Sequence, residues 1–258
     1  MDTCRPEPRA APRLESPARV LGKFHEIGIA TADIRESVEF YERLGFTQAQ
    51  TGDVWSHPYG VLTDGRLFLG LHQRTLVSPI ITFVKPEIAR HIAELESQGI
   101  SVTFQKTGED VFNEIGFHDP AGQLITVMEA RTYSPADRRP EDTSRCGYFA
   151  EISLPATDFE SLRAFWEPLG FVATEESDEP YIHLPLTSDH LDVAFHRPRT
   201  LDRPALVFKD PNMSTRITML RDLGVTVSKE LPRGLHPESN AIVESPEGTT
   251  LLLLTGEL

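Results

Sequence analysis

Two glutamates, Glu26 and Glu151, stand 125 residues apart in matching surroundings, and two histidines, His72 and His196, stand 124 residues apart. A carboxylate withdrawn from water holds its proton more tightly, so it can act as a general base near neutral pH or as a polar anchor for a ligand. An imidazole beside it supplies an acid–base partner or a metal ligand. Close in sequence lie Trp55, His57 and Tyr59, with Tyr181 and His183 in the matching stretch further on. Rings of this kind line pockets for flat or hydroxylated organic molecules, although loop packing uses the same residue types. The plainer readings are that Glu26 and Glu151 are solvated at strand starts and that His72 and His196 are partly exposed residues at strand ends.

The elements that must position these side chains recur. Glu26 to Phe46 returns as Glu151 to Phe171, with the Glu-Ile opening, Asp33/Asp158, Phe40/Phe165, Glu42/Glu167 and the Leu-Gly-Phe close held identical, and Leu67 to His72 matches Leu191 to His196. The chain is a tandem duplication. Alternation in the opening strand turns Ile27 and Ile29, and with them His25, toward a helix, and Phe24, Glu26 and Gly28 the other way. That helix begins at Asp33, an N-cap with Glu36 three residues on, and presents Ile34, Val38, Phe40, Tyr41 and Leu44 along one side. Strands follow around Gly60 to Leu62 and Leu67 to Leu71. A second strand and helix, Ile80 to Val84 and Pro86 to Gln98, lead to strands at Val102 to Phe104, Ile115 to Phe117 and Leu124 to Met128. The latter half repeats the order through Ala205 to Phe208, Asn212 to Leu223, Ala241 to Glu244 and Thr250 to Leu254. The expected architecture is α+β: four βαβββ modules in two tandem domains, 23–130 and 148–258. A mobile arm over 1–22 precedes them, and a proline-containing linker over 131–147 joins them.

Composition narrows the partners. With 25 Lys+Arg against 39 Asp+Glu and a net charge of −14, the chain lacks the basic face that nucleic acid or acidic lipid requires. No apolar run is of membrane-spanning length, and residues 1–22 carry four prolines and four arginines but no apolar signal core. Cys4 and Cys146 have neither disulfide nor metal spacing, so a reducing, cytoplasmic setting is expected.

Phe24-His25-Glu26-Ile27-Gly28-Ile29 with Asp33, Ser37, Phe40-Tyr41 and Leu44-Gly45-Phe46 resembles the opening signature of the vicinal oxygen chelate superfamily, and Asp119-Pro120-Ala121-Gly122 resembles its closing DPxG hairpin. That superfamily includes glyoxalase I, bleomycin-resistance proteins and extradiol dioxygenases. The resemblance implies glyoxalase-like domains whose mixed sheets curl into cups, with metal ligands on the first strand and the last strand of a module. Here those positions hold Glu26, Ile80, Gly70 and Thr126 in the first half and Glu151, Ala205, Ala194 and Leu252 in the second. One carboxylate per cup remains, against the three protein ligands a catalytic divalent site usually needs. No cofactor is therefore expected, with a shifted metal site on Glu26 and His72, or on Glu151 and His196, as the alternative. The resemblance supports three functions: a metal-free binder of a small organic molecule; a metal-dependent or general-base enzyme of glyoxalase, epimerase or dioxygenase type using Glu26 or Glu151; and an interaction protein that kept only the fold. The first half, with Gly28 beside its carboxylate, is the expected working site. Four modules complete two cups within one chain, so a pseudo-dimeric monomer is expected, with a homodimer as the alternative.

Overall fold

The structure, a computed structural model, describes residues 20–50, 56–108, 113–129, 143–228 and 230–257. The first module runs β1 (Lys23–Ala30), α1 (Ile34–Arg43), β2 (Thr47–Ala49), β3 (Tyr59–Thr63) and β4 (Phe68–His72). The second runs β5 (Ile80–Lys85), α2 (Ile88–Ser97), β6 (Val102–Lys106), β7 (Glu114–His118) and β8 (Leu124–Glu129). The third is β9 (Tyr148–Pro155), α3 (Phe159–Trp166), β10 (Val172–Ala173), β11 (His183–Thr187) and β12 (Val193–His196). The fourth is β13 (Ala205–Asp210), α4 (Met213–Asp222), β14 (Val227–Ser228), β15 (Ala241–Glu244) and β16 (Thr250–Thr255). The short strands β2, β10 and β14 carry no apolar alternation and were not visible in the sequence; pairing with a longer neighbour forms them.

Each pair of modules makes one eight-stranded mixed sheet, in the orders β2-β3-β4-β1-β5-β8-β7-β6 and β10-β11-β12-β9-β13-β16-β15-β14. The opening strands are central: β1 runs antiparallel to β5 and parallel to β4, and β9 does the same with β13 and β12. Asp33 caps α1 as its spacing requires, its side chain accepting from the backbone N–H groups of Arg35 and Glu36. Alternate residues of both sheets, among them Ile27, Ile29, Leu69, Leu71, Ile152, Leu154 and Phe208, join the helices in one continuous buried core that spans both halves. Residues of opposite parity occupy the face turned away from that core, the cup face.

Two parts of the chain expected to be loose are packed where they are described. Val20 and Leu21, at the end of the anticipated arm, are buried, and Val20 O accepts from Lys85 Nζ at 3.0 Å. Ser144 and Cys146, at the end of the anticipated linker, are also buried, and Arg145 N donates to Leu44 O at 2.8 Å. The remainder of both segments lies outside the described residues.

The halves are locked by a matched pair of contacts. Tyr41 on α1 donates its hydroxyl to Glu247 in the β15–β16 turn at 2.7 Å, and Ser37 donates to the same carboxylate at 2.9 Å. At the position equivalent to Tyr41, Trp166 on α3 donates its indole N–H to Asp119 in the β7–β8 turn at 3.2 Å. Asp119 also ties its own turn, accepting from the N–H groups of Ala121 and Gln123 at 2.9 Å. The DPxG segment is thus both hairpin and docking point.

Candidate functional site

In both halves the opening strand carries a β-bulge just before its glutamate. Pairing steps from Phe24↔Phe83 to Glu26↔Thr82 in the first half, and from Phe149↔Phe208 to Glu151↔Val207 in the second. The bulge inserts His25 out of phase, so two expectations are overturned: that His25 shares the helix-facing side of Ile27, and that Phe24 faces the other way with Glu26. Phe24 joins Ile27 and Ile29 in the core, while His25 Nε2 lies 3.9 Å from Glu26 Oε2. A bulge re-aims side chains in this way because two residues oppose one across the ladder.

Glu26 is only 2% exposed and sits at the centre of a hydrogen-bonded chain. Tyr59 on β3 donates its hydroxyl to Oε2 at 2.5 Å, and His72 on β4 places Nε2 3.1 Å from Oε1. His57 Nε2 in turn lies 3.0 Å from His72 Nδ1. One proton assignment satisfies the chain: His57 donates to His72, and His72 and Tyr59 both donate to an ionised Glu26. Burial is the main reason the His57 pKa is lowered, and the nearby Arg74 charge adds to it. Tyr59 and His72 are cross-strand partners, their rings 4.7 Å apart. The structure therefore brings together Glu26, His57, Tyr59 and His72. Trp55 lies outside the described residues.

Other cup-face groups of the first half are given no role by the sequence, where Thr126 is named only as a last-strand position without a metal ligand. Thr126 donates its hydroxyl to Thr82 at 3.0 Å. Glu114 is pushed toward the protonated form by burial, against the opposing charges of Arg74 and Lys106. Phe104 lies across Gly116, where an added Cβ would come within 2.0 Å of its ring, and remains 39% exposed. Of Glu114 and Phe104, only Glu114 had a sequence signal, as an acidic residue two positions before Gly116 on a strand whose intervening Ile115 faces the core.

The second half carries the same residue types in a different arrangement. His183 takes the place of Tyr59 opposite the strand-end histidine, and Tyr181 that of His57. His196 does not meet Glu151. Its Nδ1 lies 2.8 Å from the Ser153 hydroxyl and its Nε2 2.9 Å from Leu201 O, which fixes a neutral ring with the proton on Nε2. Burial is the main reason its pKa falls to about 4. The expected Glu151/His196 pair is thus absent, because both ring nitrogens are already taken. Glu151 accepts no hydrogen bond from another described residue, and burial raises its pKa to about 7 against the pull of Lys209. Burial and the adjacent Glu151 raise the Tyr181 pKa, and His183 Nδ1 donates to Tyr181 O at 2.8 Å. An apolar cluster lies on this cup face: Tyr181, Ala205, Val207, Ile242, Leu252 and Leu254, with Leu201, Leu231 and Leu235 packed against them.

The metal positions implied by the family do not fit a metal here. An added Cβ at Gly70 would come within 2.2 Å of the Glu26 carboxyl, so the remaining carboxylate already fills the space a last-strand ligand would need. Among the described residues no group of three or more His, Cys, Asp or Glu side chains is placed to hold a metal ion. The shifted pair in the first half is in contact, but His72 directs one nitrogen at Glu26 and the other at His57. No described helix is long and apolar enough to cross a membrane.

No protein-family model and no curated protein sequence matches the chain. Solved structures do. Homoprotocatechuate 2,3-dioxygenase from Arthrobacter globiformis superposes with a TM-score of 0.63 at 15% identity, covering 95% of this chain and 82% of that one. The 2,3-dioxygenase LapB from Pseudomonas sp. KL28 gives 0.61 at 14% identity, covering 92% of each chain. A catechol 2,3-dioxygenase gives 0.59 at 13% identity, covering 92% and 88%. The chain has the tandem, two-sheet fold of these 2,3-dioxygenases.

Proposed function

We propose that the cup of the first half binds a small hydroxylated aromatic compound without a metal, with Glu26 as its polar anchor. The observation that carries this reading is the buried Glu26 carboxylate, held by Tyr59 and His72 in the space above Gly70. A carboxylate offers about four acceptor directions. Two are used by described residues, which leaves capacity for a ligand hydroxyl. Tyr59, His57 and the exposed Phe104 supply aromatic surface, and Thr82 and Thr126 supply further polar contacts, the usual make-up of a small-molecule pocket. Solved proteins of this fold are named for catechol and homoprotocatechuate, so catechol and 3,4-dihydroxyphenylacetate are the natural first probes. Chelator-treated protein should show a raised melting temperature with such a probe, because a ligand that binds only the native state stabilises it by mass action. No shift with either probe would count against this reading.

A second reading, general-base chemistry, is favoured by the continuous contact from Glu26 through His72 to His57. It predicts that the bound probe, or a ligand found by wider screening, exchanges a carbon-bound proton with deuterated solvent in the wild type but not in His72→Ala. Binding without exchange leaves the first reading alone.

A further inference from the structure

We infer that the residue two positions after the cup glutamate, Gly28 in the first half and Ser153 in the second, decides whether that half's strand-end histidine couples to its carboxylate. The duplication supplies the comparison. β1 and β9 share their bulge and their glutamate, and β4 and β12 end on a histidine in the same register, Ala30↔His72 and Pro155↔His196. At Gly28 no side chain intervenes, and His72 Nε2 reaches Glu26 Oε1 at 3.1 Å. In the second half the Ser153 hydroxyl binds His196 Nδ1 at 2.8 Å, and the ring turns its other nitrogen to Leu201 O. Glu151 is left without that partner.

Steric exclusion does not explain the difference. A Cβ built on Gly28 would meet His72 Nε2 at 3.6 Å and Ile80 Cβ at 3.6 Å, ordinary contact distances. A methyl group fits there, whereas a hydroxyl on that carbon lies within hydrogen-bonding reach of the nitrogen that now faces Glu26. A neutral imidazole has one donor and one acceptor, so a second partner for that nitrogen displaces the first. Gly28 is thus a positioning residue that acts through His72. Its bearing on ligand binding rests on the first cup being the working site, but its effect on the histidine does not.

The test needs no ligand. An imidazole N–H held by a buried carboxylate gives a proton resonance far downfield, and the wild type should show one from His72 that disappears in Glu26→Gln. Gly28→Ser should abolish it, while Gly28→Ala, which adds the carbon without the hydroxyl, should keep it. Should Gly28→Ser fail to fold, Ser153→Gly carries the test from the other side: His196, released from the hydroxyl, should turn to Glu151 and add a second such resonance. Retention of the signal in Gly28→Ser, its loss in Gly28→Ala, or an unchanged spectrum in Ser153→Gly would each overturn the inference. If 3,4-dihydroxyphenylacetate binds the wild type, Gly28→Ser should weaken it by at least about tenfold. A probe that never binds contradicts only the functional reading and leaves the spectroscopic outcome decisive.

Discussion

Glu26 and Glu151 have the same sequence position and opposite environments. Glu26 is surrounded by donors; Tyr59→Phe removes one and should cost about 1.5–3 kcal/mol in urea unfolding, the usual worth of a hydrogen bond to a charged group. Glu151 lacks such donors, and its folded pKa of about 7 lies above the ordinary 4.5. A raised carboxylate pKa means that the folded state holds the proton more tightly. The associated stability is fully present below about pH 4.5 and is lost as pH rises through about 7. The loss should amount to a few kcal/mol by pH 8. Glu151→Gln should therefore be more stable than wild type at pH 8, with the gap closing at pH 5. Denaturant midpoints at the two pH values measure this, and a pH-independent gap would show that burial is not what shifts Glu151.

At the scale of elements, the sequence disclosed most of the fold and only part of the site. Leu-Gly-Phe stops, Asp N-caps and alternating strands are local signals, and they located α1, β1, β4 and β8 because helix capping and sheet parity act over a few residues. The bulge at His25 and the capture of His196 by Ser153 were not legible, since each depends on which strand lies alongside. The contrast between Gly70 and Gly116 makes the same point. Each faces a cup and each would place a Cβ inside a neighbour, within 2.2 Å of the Glu26 carboxyl or 2.0 Å of the Phe104 ring. Glu26 is pinned by two hydrogen bonds, whereas Phe104 is part-exposed and can swing aside. Gly70→Ala should cost about 1–3 kcal/mol, as overpacking of a filled site does, and Gly116→Ala well under about 1 kcal/mol. Thermal denaturation of the two variants ranks them directly.

At the scale of the molecule, the duplication produced two sheets around one core, with one cup kept polar and the other filled by its own leucines. Because the core is continuous between the halves, unfolding should be a single cooperative transition by both fluorescence and circular dichroism. The matched locks should contribute to it. Tyr41→Phe removes a donor from Glu247, and Trp166→Phe removes one donor from buried Asp119. Each should cost about 1–3 kcal/mol without splitting the transition. Two separate transitions in either variant would show that the halves are held together by those contacts alone.

The central claim is a metal-free ligand site confined to the first cup, anchored on Glu26. Isothermal titration of chelator-treated protein with 3,4-dihydroxyphenylacetate tests it most directly. Binding should be measurable without added metal, weakened at least about tenfold in Glu26→Gln and changed less than about twofold in Glu151→Gln. Binding that appears only after a divalent metal is restored, or an affinity unchanged in Glu26→Gln, would contradict it.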